Sequence, residues 1–179
     1  MDTGKWISEL DEMTAAVKAE FGGLTAVEMM RKPTANAWSI AENLDHLIKV
    51  NNTYPPVLEQ MRSGSYSLPF IAKIGFLVKA TGNMILDSVQ PNRKRKMKTF
   101  PIWEPAVGAS VTIADFEKHQ EEIKQMIRAS QDLLGRNAKL SSPANRNLVY
   151  TLDKAFDIIC SHERRHLEQM REVKKLISN

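Results

Sequence analysis

The chain carries four histidines, His46, His119, His162 and His166, and one cysteine, Cys160. His162 and His166 are four residues apart, which on a helix puts them on one face, about 5.4 Å apart along the axis. Two imidazoles so placed can grip one metal ion. Ala155, Ile158, Ile159, Met170, Val173 and Ile177 continue that face as an apolar stripe. His46, beside Leu47 and Val50 on the apolar edge of an earlier segment, is the best-placed source of a third nitrogen. His119 has no such companion and reads as a core residue. A hydrogen-bonded core histidine is also the plain alternative at the other three positions. Cys160 falls about 200° round the helix from His162 and reads as a small buried apolar side chain, not a ligand.

Three neutral imidazoles leave a divalent ion its full charge and at least one open coordination position, the arrangement of a catalytic site. A water there would be acidified towards neutrality and could act as nucleophile, and a thiol would ionise. Zinc and nickel both suit such donors. Glu163 lies about 100° round the helix from His162, where it could be a general base or pair with a surface arginine. Glu42 and Asn43, one turn before His46, are candidates to orient its ring. Arg165 could hold an anionic group at the site mouth or lie on a solvated face.

The run His162-Glu163-Arg164-Arg165-His166 also matches H-E-x-x-H, the zinc-protease helix in which the Glu is the base. That chemistry needs a third ligand downstream. The 13 residues after His166 contain no His, and Gln169 and Glu172 stand where the longer motif needs Gly and His. The protease reading is weak.

Helices must position these groups. Trp6, Ile7, Leu10, Met13, Thr14 and Val17 recur at helical spacing and predict a helix over 3–21, ended by Gly22-Gly23. Thr25 caps a short helix that Pro33 stops. Ser39 and Glu42 form a capping box opening a helix to about residue 62, which Pro55-Pro56 should kink or split. Residues 68–89 read as an apolar helix weakened by Gly75 and Gly82, and 90–110 as a long loop. Thr112 or Asp115 caps a helix to about 134, 137–147 is a polar loop, and a last helix spans about 150–177. Strand signals are nearly absent. Trp38 reads as core packing at a helix start, and Trp103 as a lid over the bundle mouth or a packed plug. The pattern predicts an all-α antiparallel four-helix bundle with extra short helical segments, one domain over residues 1–179.

Two motifs sharpen this. Trp38-Ser39-Ile40-Ala41-Glu42-Asn43-Leu44-Asp45-His46-Leu47 resembles the W-S-x-x-E-x-x-x-H-L start of the second helix in DinB-like (YfiT-like) proteins. Ser161-His162-Glu163-Arg164-Arg165-His166-Leu167-Glu168-Gln169 resembles their closing H-E-x-x-H-x-x-Q signature, and with the helix layout the resemblance covers essentially the whole chain. It implies a four-helix bundle, often dimeric, whose divalent metal is held by His46, His162 and His166. It further implies a small-molecule substrate and either hydrolysis or transfer and isomerisation with a low-molecular-weight thiol. The longer, basic middle segment departs from the commonest pattern.

The charge balance, 25 Lys+Arg against 21 Asp+Glu, is a net +4. Five of the basic residues fall in 93–98, leaving 20 basic against 21 acidic elsewhere. That run has no interleaved aromatic and no nucleic-acid motif, so a nucleic-acid binder is the lesser alternative. A non-catalytic binding or stress-response bundle is the other. A single cysteine excludes an internal disulfide framework, and neither an 18-residue apolar run nor a signal-peptide pattern is present, so the expected location is the cytoplasm.

Overall fold

A computed structural model describes residues 2–92 and 98–178. The basic run 93–98 therefore lies, except for Lys98, outside the described residues. Helix α1 spans Gly4–Phe21 and buries Trp6, Leu10, Met13, Val17 and Phe21, spaced three or four apart as one helical face requires. The short α2, Ala26–Met30, starts at Thr25 through a capping box with Glu28. Helix α3, Ile40–Asn51, starts where predicted: Ser39 Oγ accepts from the Glu42 N–H while Glu42 Oε2 accepts from the Ser39 N–H.

The helix expected to reach residue 62 is divided. Helix α4, Tyr54–Ser63, begins after Asn52-Thr53 with Pro55 and Pro56 in its first turn, where a missing N–H costs no helical hydrogen bond. The expected helix over 68–89 is a 3₁₀ turn, Phe70–Lys73, followed by α5, Gly75–Ser88. A 3₁₀ turn at Pro101–Trp103 precedes α6, Ile113–Arg128, capped by Thr112 and Asp115. Helix α6 stops six residues early, and α7, Gln131–Gly135, follows.

The polar loop expected at 137–147 is instead part of a β-hairpin. Strand β1, Lys139–Ser142, pairs antiparallel with β2, Asn145–Thr151, so the last helix, α8, starts at Leu152 and runs to Ile177. The run Leu148-Val149-Tyr150-Thr151 is the β-forming signal, with Val149 and Tyr150 buried.

Helices α1, α6, α3 and α8 pack in a closed ring, each against the next, and the four-helix reading is borne out. Helix α5 lies outside the ring against β2 and α8; Gly82 makes the close approach, since a Cβ there would sit 2.8 Å from Lys154 Cγ and 3.2 Å from Tyr150 Cβ. Two apolar clusters fill the ring. One gathers Trp6, Leu10, Tyr54, Ile123 and Phe156, the other Val17, Phe21, Leu44, Phe116 and Met170. On α3, α6 and α8 the fully buried Asn51, Gln120 and Glu163 fall in chain order between these clusters, so a polar layer separates them. Among the described residues, no helix is long and apolar enough to cross a membrane.

Candidate metal centre

Helix α3 delivers His46 and helix α8 delivers His162 and His166 to one point, with candidate ligand atoms all within 4.8 Å of one another. His46 Nε2 stands 3.3 Å from His162 Nε2, and His166 Nε2 stands 3.1 Å from it. Two nitrogens bound at about 2.05 Å to a tetrahedral zinc stand about 3.3 Å apart. The spacing fits.

Hydrogen bonding on the far side of two rings decides which atoms face that point. His46 Nδ1 lies 2.6 Å from the Trp103 carbonyl oxygen. A carbonyl only accepts, so the proton is on Nδ1 and Nε2 presents a lone pair. His166 Nδ1 lies 2.7 Å from Asn43 Oδ1, and Asn43 is oriented because its Nδ2 donates to the Ser39 carbonyl at 2.8 Å. His166 Nε2 therefore also presents a lone pair. A single N–H on His162 Nε2 can satisfy one of these lone pairs and not both. A cation satisfies all three, and the donor set fits a divalent metal.

Burial pushes all three imidazoles below the ordinary histidine range, His162 and His166 furthest. The neighbouring rings and the Arg165 guanidinium push His162 and His166 the same way, whereas the Trp103 carbonyl and Asp45 partly oppose the shift at His46. Neutral imidazole is the metal-binding form.

Trp38 does more than pack at the helix start. Its ring centroid lies 4.9 Å from that of His46 and 6.0 Å from that of His166, nearly parallel to the latter, so it walls one side of the triad. Of the two residues expected to orient ligands, Asn43 holds His166, while Glu42 is occupied by the Ser39 cap and an ion pair with Lys32 at 3.1 Å. The Trp103 carbonyl has no signature in the sequence, since a main-chain atom leaves no mark on residue type. The Trp103 side chain packs edge-on to Phe100 at 5.5 Å.

Glu163, expected as a base at the metal or on a surface arginine, is fully buried and takes neither place. One carboxylate oxygen accepts from Asn51 Nδ2 and the other from Gln120 Nε2, both at 2.8 Å. Burial raises its pKa to about 7, against the pull of the two amides. Arg165 neither caps the site mouth freely nor lies on a solvated face; its Nη1 donates to the Ser88 and Gln90 carbonyls, tying the end of α5 to α8. Cys160 is buried in the first cluster with its thiol held un-ionised by burial, as expected of a core residue. His119 is buried on α6, away from the triad's hydrogen bonds.

The model of the DinB superfamily matches residues 9–170. The Bacillus subtilis (strain 168) protein YuaE, described as uncharacterized, is 29% identical over 161 residues, covering 88% of this chain and 90% of its own. The solved structure of YfiT from Bacillus subtilis is described as a probable metal-dependent hydrolase with an unusual four-helix bundle topology. It aligns with a TM-score of 0.57 over 98% of this chain and 87% of its own, at 14% identity, a likeness that establishes the fold. Because the family match runs from the first helix to the last, the chain belongs to the DinB superfamily.

Proposed function

We propose that this protein is a metal-dependent enzyme that holds one divalent ion, zinc or nickel, through His46, His162 and His166, and that it acts on a small molecule. The observation that carries the reading is the pair of lone pairs, on His46 Nε2 and His166 Nε2, aimed at a third imidazole nitrogen. Hydrolysis is the favoured reaction, supported by the description of the YfiT structure; transfer to a low-molecular-weight thiol is the variant that the family resemblance adds. A divalent ion supplies Lewis acidity there, lowering the pKa of a coordinated water or thiol.

The chain's own groups do the rest. Burial keeps the imidazoles neutral, and Trp38 shields the His46 and His166 rings from water. Arg165 adds positive charge beside His162 and His166, which favours a substrate that carries or develops negative charge. Glu163 acts as a pin between α3, α6 and α8 and not as the base, because both its oxygens are engaged. A homodimer belongs to the same reading: Phe76, Ala80 and Met84 make an exposed stripe on α5 suited to a second copy, and light scattering tests it.

The test of function is a screen of zinc- and nickel-loaded protein against small esters, amides and thiol–electrophile pairs, with metal-stripped protein alongside. Turnover that requires metal and disappears in His162→Ala is expected. Turnover indifferent to stripping, or none with stoichiometric metal bound, overturns the reading.

A further inference from the structure

One face of α3 reads the backbone of the segment that follows the Pro101–Trp103 turn. His46 Nδ1 donates to the Trp103 carbonyl, and one turn on, Lys49 Nζ donates to the Glu104 carbonyl at 3.1 Å. In the opposite sense, the Ala106 N–H donates to Asp45 Oδ2 at 2.7 Å, and the same oxygen pairs with Lys49 at 2.9 Å. Three side chains, at 45, 46 and 49, thus bind three backbone groups within four residues. Only one of the three is a metal-ligand candidate. The Asp45 side chain is 15% exposed and Lys49 35%, so the latch is partly screened from solvent.

The Trp103 carbonyl is what places the His46 proton on Nδ1, but Trp103 lies in a three-residue 3₁₀ turn with no side-chain cap. The Trp103 N–H closes that turn on the Phe100 carbonyl at 2.9 Å, and beyond the Trp103 carbonyl the segment is held to α3 through the Glu104 carbonyl and the Ala106 N–H. We propose that Asp45 is a positioning residue for His46: by anchoring the Ala106 N–H it keeps the Trp103 carbonyl on Nδ1 and so keeps Nε2 free as a ligand. The segment 103–106 is then part of the centre and not a loop that passes over it. This rests on His46 being a ligand, yet its first consequence, the state of the His46 ring, exists in metal-free protein.

Three variants separate positioning from charge. Asp45→Ala removes both the acceptor and the charge. Asp45→Asn keeps an acceptor for Ala106 and removes the charge. Lys49→Met removes the other latch and leaves Asp45 in place. Nitrogen-15 NMR of metal-stripped protein reads which His46 nitrogen carries the proton, and competition with a chromophoric chelator reads zinc affinity. Loss of a partner that orients a ligand typically weakens binding about 10–100-fold. Acting through the backbone, Asp45→Ala is expected to give a mixture of His46 tautomers and about tenfold weaker zinc binding. Asp45→Asn and Lys49→Met are expected to keep the Nδ1–H form and bind zinc within about threefold of wild type. An Asp45→Ala protein that retains the Nδ1–H form, or Asp45→Asn matching Asp45→Ala, overturns the proposal. In the first case the pair is a surface contact, and in the second only its charge matters. Should wild type bind no zinc, the metal reading fails while the NMR comparison still judges Asp45.

Discussion

Replacing His119 with Leu is expected to stabilise the protein, and more so in acid. His119 is 3% exposed on α6, and among the described residues neither ring nitrogen has a hydrogen-bond partner. The Glu122 carboxylate lies 3.8 Å from Nδ1, too far for a hydrogen bond. A buried unpaired polar group costs about 1–3 kcal/mol, so at pH 8, where the ring is neutral, His119→Leu should gain about 1–2 kcal/mol. Burial, opposed in part by the nearby Glu122 carboxylate, also lowers the His119 pKa from 6.5 to about 4. Between those values the unfolded chain binds a proton that the folded chain refuses, so stability falls as pH drops from 6.5 towards 4. At 1.36 kcal/mol per unit, the loss reaches about 3 kcal/mol at pH 4. The variant escapes it. Urea unfolding of chelator-treated protein, followed by circular dichroism at pH 8 and pH 4, reads the difference, provided the denaturant slope is unchanged. The advantage of the leucine variant should grow by about 3 kcal/mol from pH 8 to pH 4. Equal advantage at both pH values, or a loss at pH 8, would refute the picture of a dry, unpaired ring.

Glu163 has the opposite sign: its folded pKa of about 7 lies above the ordinary 4.5, so its contribution to stability is lost as pH rises from 4.5 to 7. Glu163→Gln should remove that loss of about 3 kcal/mol, visible in the same unfolding curves. Glu163→Ala, which strands the Asn51 and Gln120 amides and leaves a cavity, should cost about 3–5 kcal/mol at pH 5. Asn43→Ala frees the His166 ring and should weaken zinc binding about 10–100-fold by chelator competition, and should cost metal-free protein about 1–3 kcal/mol because the buried His166 Nδ1–H loses its acceptor. Gly82→Val sets a branched Cβ 2.8 Å from Lys154 Cγ and 3.2 Å from Tyr150 Cβ and should cost about 1–3 kcal/mol by calorimetry, without altering metal uptake.

Much of this molecule is local and therefore legible. The capping boxes at Ser39 and Thr112 and the stripe on α8 depend on neighbours three or four residues away, and each is found in the fold. The same spacing brought His162 and His166 together, and His46 stood out by its place beside Leu47 and Val50 before the family motif matched it. What escaped depends on distant partners. The hairpin needed β1 to find β2 across a short polar turn, against an expectation of helix from residue 150. Trp38 became a wall of the centre because α8 supplies His166 opposite it. Glu163 has the position of a protease base in its motif, but the amides that occupy it come from α3 and α6, 112 and 43 residues away in sequence. Residue type announced a carboxylate; only packing assigned its partners.

Calorimetric titration of zinc into chelator-stripped protein, wild type beside His162→Ala, decides whether three imidazoles hold one metal ion. His162 is the ring that both other nitrogens face, so its loss should abolish the site. One zinc per chain is expected in wild type, and no comparable uptake in the variant. Wild type that takes up no zinc or nickel, or a variant that binds one ion as tightly, would contradict it.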